Sequence, residues 1–261
     1  ETMTSQWMNY LGLILPSEEQ KKADKTLTQK LVSVALLPLD VLIKIWGSGT
    51  DEKILPWMNV AIDEAKTMNG ISECDEPLYS KGKEYHKNGG HVNYCPCGIS
   101  GNANYCDPSA WCASFANWCL RQSETGYTQS AGSQTFLNHA DFVQISEPIF
   151  GAIAIFTNLD GNADFKTTGH VAFVVGKIGN DQILCLGGNQ SNTIKVSQYS
   201  LSQNKEKLAG KLFFRGYYIP KSYFDELKNY KTSIDDYTDA KEANQQIINL
   251  NINSTKNENT R

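Results

Sequence analysis

Trp111-Cys112-Ala113-Ser114-Phe115-Ala116-Asn117-Trp118-Cys119-Leu120 is the stretch whose reading decides the fold. It follows a turn, Asp107-Pro108-Ser109, and its spacing predicts the opening turns of a helix. Cys112, Phe115, Ala116 and Cys119 stand at i, i+3, i+4 and i+7, which makes one face apolar. Ser109 is the expected cap. Cys112 then falls in the first turn, where free backbone N–H groups and the helix dipole favour negative charge. Its thiol is therefore expected to ionise readily: a free cysteine has a pKa of about 8.5, and such settings lower it to roughly 3.5–7.5. A cysteine so placed is a nucleophile if an imidazole reaches it. Without one it is a small buried hydrophobe.

Downstream, Gly169-His170-Val171-Ala172-Phe173-Val174-Val175-Gly176 alternates with period two, so His170, Ala172 and Val174 share one face of a strand that His170 begins. Gly151–Phe156 is an apolar run of strand length. Asp160-Gly161-Asn162-Ala163-Asp164 has only part of a calcium-loop pattern and reads as a hairpin turn. Gln182–Leu186, Thr193–Tyr199 and Leu212–Ile219 complete a series of strands. Strands joined by short turns, with the helices gathered in the first half, predict an α+β layout with a C-terminal antiparallel sheet.

Upstream, Pro56 starts a predicted helix with Met58, Ala61, Ala65 and Met68 on one side, and residues 76–88 hold another with Leu78 and Tyr85 as core contacts. Residues 1–50 read as a helical arm, broken at Pro38. Between the Cys112 helix and the strands, Phe136, Leu137 and Ala140 suggest a short helix. Beyond residue 220 the chain turns polar, with possible helices at 222–231 and 240–250 and an end with little to bury.

Composition sets the limits. The 261 residues carry 40% hydrophobic and 20% charged side chains and a net charge of −4, and the pI is about 5.6. Such a balance argues against nucleic acid as a partner, because phosphate binding needs a basic surface. No stretch reaches the roughly 20 apolar residues of a membrane-spanning helix. No signal peptide is read at the start. Seven cysteines are many for a reducing compartment. Cys74, Cys95, Cys97 and Cys106 lie in one loop-rich stretch, where disulfides or free thiols are favoured over a zinc site with His91, since Cys95-x-Cys97 misses the usual zinc spacing. No metal and no cofactor is expected.

A thiol attacking a carbonyl needs a base, a group that holds the base, and donors for the oxyanion. Of four histidines, His170 is the one expected beneath the Cys112 helix. Asn189, after the next strand, lies at the same end of the sheet if the two strands form a hairpin. Its amide carbonyl can then accept from the imidazole, as in Cys-His-Asn enzymes. Alternatively Gly187-Gly188-Asn189 is only a tight turn. The N–H of Cys112 is the expected oxyanion donor, and Trp111 beside it the expected substrate contact.

The Cys112 block, the His170 block and Leu186-Gly187-Gly188-Asn189-Gln190-Ser191 together resemble the three blocks of a CHAP-type domain (cysteine, histidine-dependent amidohydrolase/peptidase), related to NlpC-type cell-wall peptidases. Pro56-Trp57-Met58-Asn59-Val60-Ala61 resembles the opening helix of that subgroup. The resemblance covers about residues 56–220. It implies a papain-like fold that cleaves amide bonds of peptidoglycan, with Cys112 as nucleophile, His170 as base and Asn189 as orienting residue. Where some relatives carry a Glu two places before that asparagine, this chain has Gly187.

The organisation expected is an arm at 1–50, a catalytic domain at 51–220 and a tail at 221–261. Peptidoglycan stem peptides are the expected substrate. Relatives include phage lysins and injected antibacterial toxins. The arm and low pI favour the toxin, a type VI secretion effector acting in a target bacterium's periplasm with an immunity protein as partner. A thiol acyltransferase, a protein-directed protease and a non-catalytic glycan-binding module are the alternatives.

Overall fold

A computed structural model describes residues 55–98, 108–227 and 234–249. The chain divides into two units, Glu1–Lys53 and Ile54–Arg261. The helical arm expected over 1–50 lies outside the described residues.

Pro56 opens helix α1 (Pro56–Thr67), where its missing N–H leaves no bond unmade. Trp57, Met58, Ala61 and Ala65 are buried along it, and Trp57 Nε1 donates to the carbonyl of Gly151 at 2.8 Å. Helix α2 (Leu78–Asn88) buries Leu78 and Tyr85, as its spacing predicts, and also His86. Helix α3 (Cys112–Gln122) stands where the sequence puts it and is buried from Cys112 to Leu120. Its cap differs from expectation. Trp111 is the N-cap and makes no side-chain capping bond. Ser109 is held elsewhere: its N–H donates to Cys95 O at 2.9 Å, beside a bridge between Cys95 and Pro108.

That bridge ties the chain before α3 to the cysteine-rich loop. Cys74 and Cys97 form a disulfide with Cα atoms 5.7 Å apart, and Cys95 is disulfide-bonded as well. Cys106 lies outside the described residues. Cys112, Cys119 and Cys185 are free thiols, all buried.

Six strands follow: β1 (Phe142–Ile145), β2 (Ile153–Leu159), β3 (Phe165–Ile178), β4 (Gln182–Gln190), β5 (Thr193–Ser200) and β6 (Leu212–Pro220). They form one sheet in the order β1-β6-β2-β3-β4-β5, and every pairing is antiparallel. The molecule has the α+β layout that the periodicities predict. β1 is the strand the sequence reading missed. Phe136 and Leu137 lie in a 3-10 helix (Ser133–Asn138) just before it. The segment from Asp160 to Asp164 is the predicted hairpin turn, with Asp160 Oδ1 accepting from the N–H groups of Asn162 and Asp164.

Helix α3 packs on β3 and β4, and the closeness of that packing explains one glycine. A Cβ on Gly188 would sit 2.4 Å from Trp111 Cζ3 and 2.8 Å from Phe115 Cβ. Only hydrogen fits between helix and strand there. Gly188→Ala should destabilise the protein by about 1–3 kcal/mol, the usual cost of overpacking, read as a lower midpoint in urea unfolding.

Part of the polar tail is built into the fold. After α4 (Lys221–Leu227), helix α5 (Ala240–Ala243) runs into a π turn over Asn244–Ile248. Asn244 Oδ1 accepts from Val196 N at 2.8 Å, and its Nδ2 donates to Val196 O at 2.7 Å. One amide thus satisfies backbone groups of β5, an outer strand of the sheet whose unpaired edge would otherwise invite another chain. No helix among the described residues is long and apolar enough to cross a membrane.

Candidate active site

β3 and β4 form the hairpin that the sequence reading required, with Phe173 opposite Leu186. The hairpin brings His170 and the Asn189–Gln190 corner to the same end of the sheet. His170 is the sixth residue of β3 rather than its first. Cys112, at the head of α3, lies beside the same strand, near enough to the backbone N–H of Val171, the residue after His170, to feel its pull. The thiol therefore lies beside the strand that carries the imidazole. Both are enclosed, Cys112 being 3% exposed and His170 fully buried.

The group that holds the imidazole is Gln190, one place beyond the Asn189 expected for that role. His170 Nε2 lies 3.2 Å from Gln190 Oε1. The substitution has a local cause. The β4–β5 ladder slips between Gly187 and Gln190, and Asn189 takes a left-handed φ of 57°. That turn rotates Asn189 out of register and brings the next side chain over the histidine. Asn189 itself is buried.

Gln190 fixes more than a position. Its Nε2 donates to the carbonyls of Cys185, at 3.1 Å, and Lys195. Tyr199 Oη donates to its Oε1 at 2.6 Å. Two carbonyl partners require the NH2 group on one side, so the oxygen must face the imidazole. His170 Nε2 then carries the proton and Nδ1 keeps a lone pair. Nδ1 is buried and has no hydrogen-bond partner. It is a nitrogen with an empty acceptor position. Tyr199 also stacks on the imidazole, with ring centroids 5.4 Å apart.

Electrostatics correct one expectation. The head of the helix was expected to lower the thiol pKa. Burial instead raises Cys112 to about 11, against a smaller opposing pull from the N–H groups of Val171, Ala113 and Cys112 itself. Burial likewise lowers His170 to about 4, partly offset by its bond to Gln190. Desolvation disfavours the charged form of each group, so the resting pair is neutral at pH 7. A thiol with a raised pKa reacts with alkylating agents only through its small ionised fraction. Alkylation of Cys112 by iodoacetamide should therefore rise about tenfold per pH unit from pH 7 towards 10. A rate that is flat from pH 5 to 8 would indicate a preformed thiolate–imidazolium pair.

Other expected participants sit elsewhere. Trp111 is fully buried; its Nε1 donates to Glu73 Oε2 at 2.8 Å and its ring stacks on Tyr85, so it packs the wall behind the cysteine. Gly187 cannot be replaced by a larger residue, because its Cβ would lie 2.8 Å from Ala172 Cβ. The other three histidines are away from the thiol. His86 is not a loop residue but lies on α2, fully buried, with Nδ1 2.9 Å from Ser114 Oγ. His91 contacts Tyr127 Oη, and His139 faces Asp141. Among the described residues, no group of three or more side chains is placed to hold a metal ion.

Gln190 and Tyr199 were missed from sequence. The Gln stood in the quoted block, but nothing in the alternation announced the bulge that promotes it. No curated protein and no solved structure matches the chain. Residues 104–189, a span that holds both the thiol and the imidazole, match the model of the CHAP domain family.

Proposed function

We propose that this chain is a peptidoglycan hydrolase of the amidase or peptidase type, working through Cys112 and His170, with Gln190 rather than Asn189 as the orienting residue. The CHAP match implies amide hydrolysis in the cell wall. The observation that carries the residue assignment is the unpartnered His170 Nδ1, held as a free acceptor by Gln190.

In this reading the sulfur of Cys112 attacks the scissile carbonyl carbon while its proton passes to His170 Nδ1. Moving the proton with the attack avoids forming a free buried thiolate. The negative charge that develops on oxygen falls at the head of α3. There the N–H groups of the first turn have no intrahelical acceptor. The C–N bond then breaks, and His170 returns the proton to the leaving amine. A water attacks the thioester, giving up a proton to His170, and the acid product leaves with the thiol restored. Since both groups are enclosed, a local opening must precede attack.

The setting we propose is outside the cytoplasm. The Cys74–Cys97 disulfide favours an oxidising compartment. An antibacterial toxin delivered to a target cell's periplasm, restrained in its producer by an immunity protein, fits that setting.

Digestion of purified sacculi, followed by mass spectrometry of the fragments, tests the activity. Hydrolysis gives products heavier by one water in total and a new amine at a single bond type, which also tells amidase from endopeptidase. Products carrying an added amine in place of water would make the protein an acyltransferase. Intact sacculi would overturn the reading.

A further inference from the structure

A second cluster lies at the start of β3, five residues before His170, and on β6. Phe165, at the start of β3, is 42% exposed. The exposed Lys205 sets its Nζ 3.7 Å from the centre of that ring. The Arg215 guanidinium lies 4.2 Å from the same centre. Phe213 meets Phe165 edge-on at 5.3 Å. Two cations thus share one exposed ring in a chain of net charge −4. Among the described residues, no carboxylate forms an ion pair with either. Asp160, the acid of the adjoining turn, is engaged by the N–H groups of Asn162 and Asp164. Like charges at this spacing repel, and a bound anion would relieve that cost.

The placement of Arg215 is a built feature. It is the extra residue of a bulge in β6: Ile155 pairs with Gly216 and Phe156 with Phe214, leaving Arg215 unopposed. Bulges re-aim side chains and concentrate near active sites. Here the guanidinium is aimed at Thr157, whose Oγ1 accepts from Nη1 at 3.1 Å. Thr157 Oγ1 in turn donates to Gln134 Oε1, and Gln134 Nε2 donates to Phe156 O at 2.8 Å. Gln134 lies against Gly169, where a Cβ would come within 2.6 Å of its Nε2. Gly169 directly precedes His170. A chain of hydrogen bonds therefore runs from Arg215 to the backbone of Phe156, the residue paired with His170.

From this we infer that Phe165, Lys205 and Arg215 form a subsite for a carboxylate of the stem peptide, about five residues along the substrate from the scissile bond. The inference rests on the peptidoglycan reading above. Phe165 stands five residues before His170 along β3, on the order of 17 Å, and an extended peptide covers that distance in about five residues. The guanidinium supplies a planar pair of donors and the ammonium a point charge, while Phe165 supplies an apolar wall for the adjoining chain.

Two synthetic stem peptides test it, identical except that one carries a free α-carboxylate and the other its carboxamide. The intact chain should show a KM about tenfold lower for the acid form, with similar kcat for the two, and high salt should shrink the preference. Lys205→Gln and Arg215→Gln should each reduce the preference and the double variant should abolish it. Arg215→Lys should restore part of it. Lys205 is a surface side chain, so its variant reports binding free of folding effects. Equal KM values for the two peptides in the unaltered chain, or a preference that survives in the double variant, would overturn the inference. Fluorescence anisotropy with the same labelled peptides separates the two proposals. Acid-selective binding without turnover would sink the hydrolase and keep the subsite. Turnover with no selectivity in binding would do the reverse.

Discussion

Cys112→Ala is expected to abolish release of soluble fragments from peptidoglycan, by at least about 10⁴-fold, while the protein stays folded. In the proposed mechanism the sulfur forms the covalent intermediate, and the methyl group of alanine cannot. Loss of one buried sulfur removes little volume, so the helix should keep its seat on β3 and β4. Cys119 and Cys185 provide the comparison. Both are buried free thiols, both have pKa values pushed up by burial, and neither stands at the start of a helix. Cys119→Ala and Cys185→Ala should retain activity at the level their stability allows. Fragment release measured on all three variants, with urea unfolding alongside, checks the result.

Gln190→Ala is the second large effect. Removing the amide frees the imidazole to turn and to place its proton on either nitrogen. With the proton on Nδ1, His170 can no longer accept from sulfur. A fall in kcat of about 10²–10³-fold is expected with KM little changed, in the range that general-base catalysis contributes. Part of the loss will be stability, because Cys185 and Lys195 carbonyls and Tyr199 Oη lose a partner. Gln190→Glu separates the two causes: it keeps an acceptor for His170 Nε2 and for Tyr199 but loses the donors to the two carbonyls. Asn189→Ala should cost no more than a few-fold in kcat, since no bond from its side chain reaches the imidazole. If the asparagine variant were the inactive one, the orienting role would pass back to Asn189.

The contrast between these neighbours shows where the sequence stops being legible. The helix of Cys112 was readable because an apolar face repeats at helical spacing, and burial from Cys112 to Leu120 follows from it. The β3–β4 hairpin was readable from alternation and turn residues. The identity of the orienting side chain was not, because it depends on a slip of the ladder and a left-handed residue at Asn189. A one-residue shift of register exchanges the faces of a strand, and Asn189 and Gln190 are one residue apart. Ser109 looked like a cap because serine suits that role, but the helix begins only at Cys112, three residues on, with Trp111 at the cap. The thiol pKa was misread for a related reason: the helix dipole is visible in a sequence, whereas the burial that outweighs it is a property of the assembled core. β1 escaped notice because four residues are too few for alternation to stand out. The Arg215 cluster was invisible for the same reason as Gln190, since another bulge aims it.

The central claim is that the sulfur of Cys112 is the atom that meets the substrate carbonyl. A stem-peptide vinyl sulfone, incubated with the intact chain and followed by peptide mapping, tests it most directly. One adduct per chain on Cys112, appearing in step with loss of activity and much slowed in Gln190→Ala, is the result this account predicts. An adduct on Cys119 or Cys185 that accompanies inactivation, or full activity in protein whose Cys112 is already modified, would contradict it.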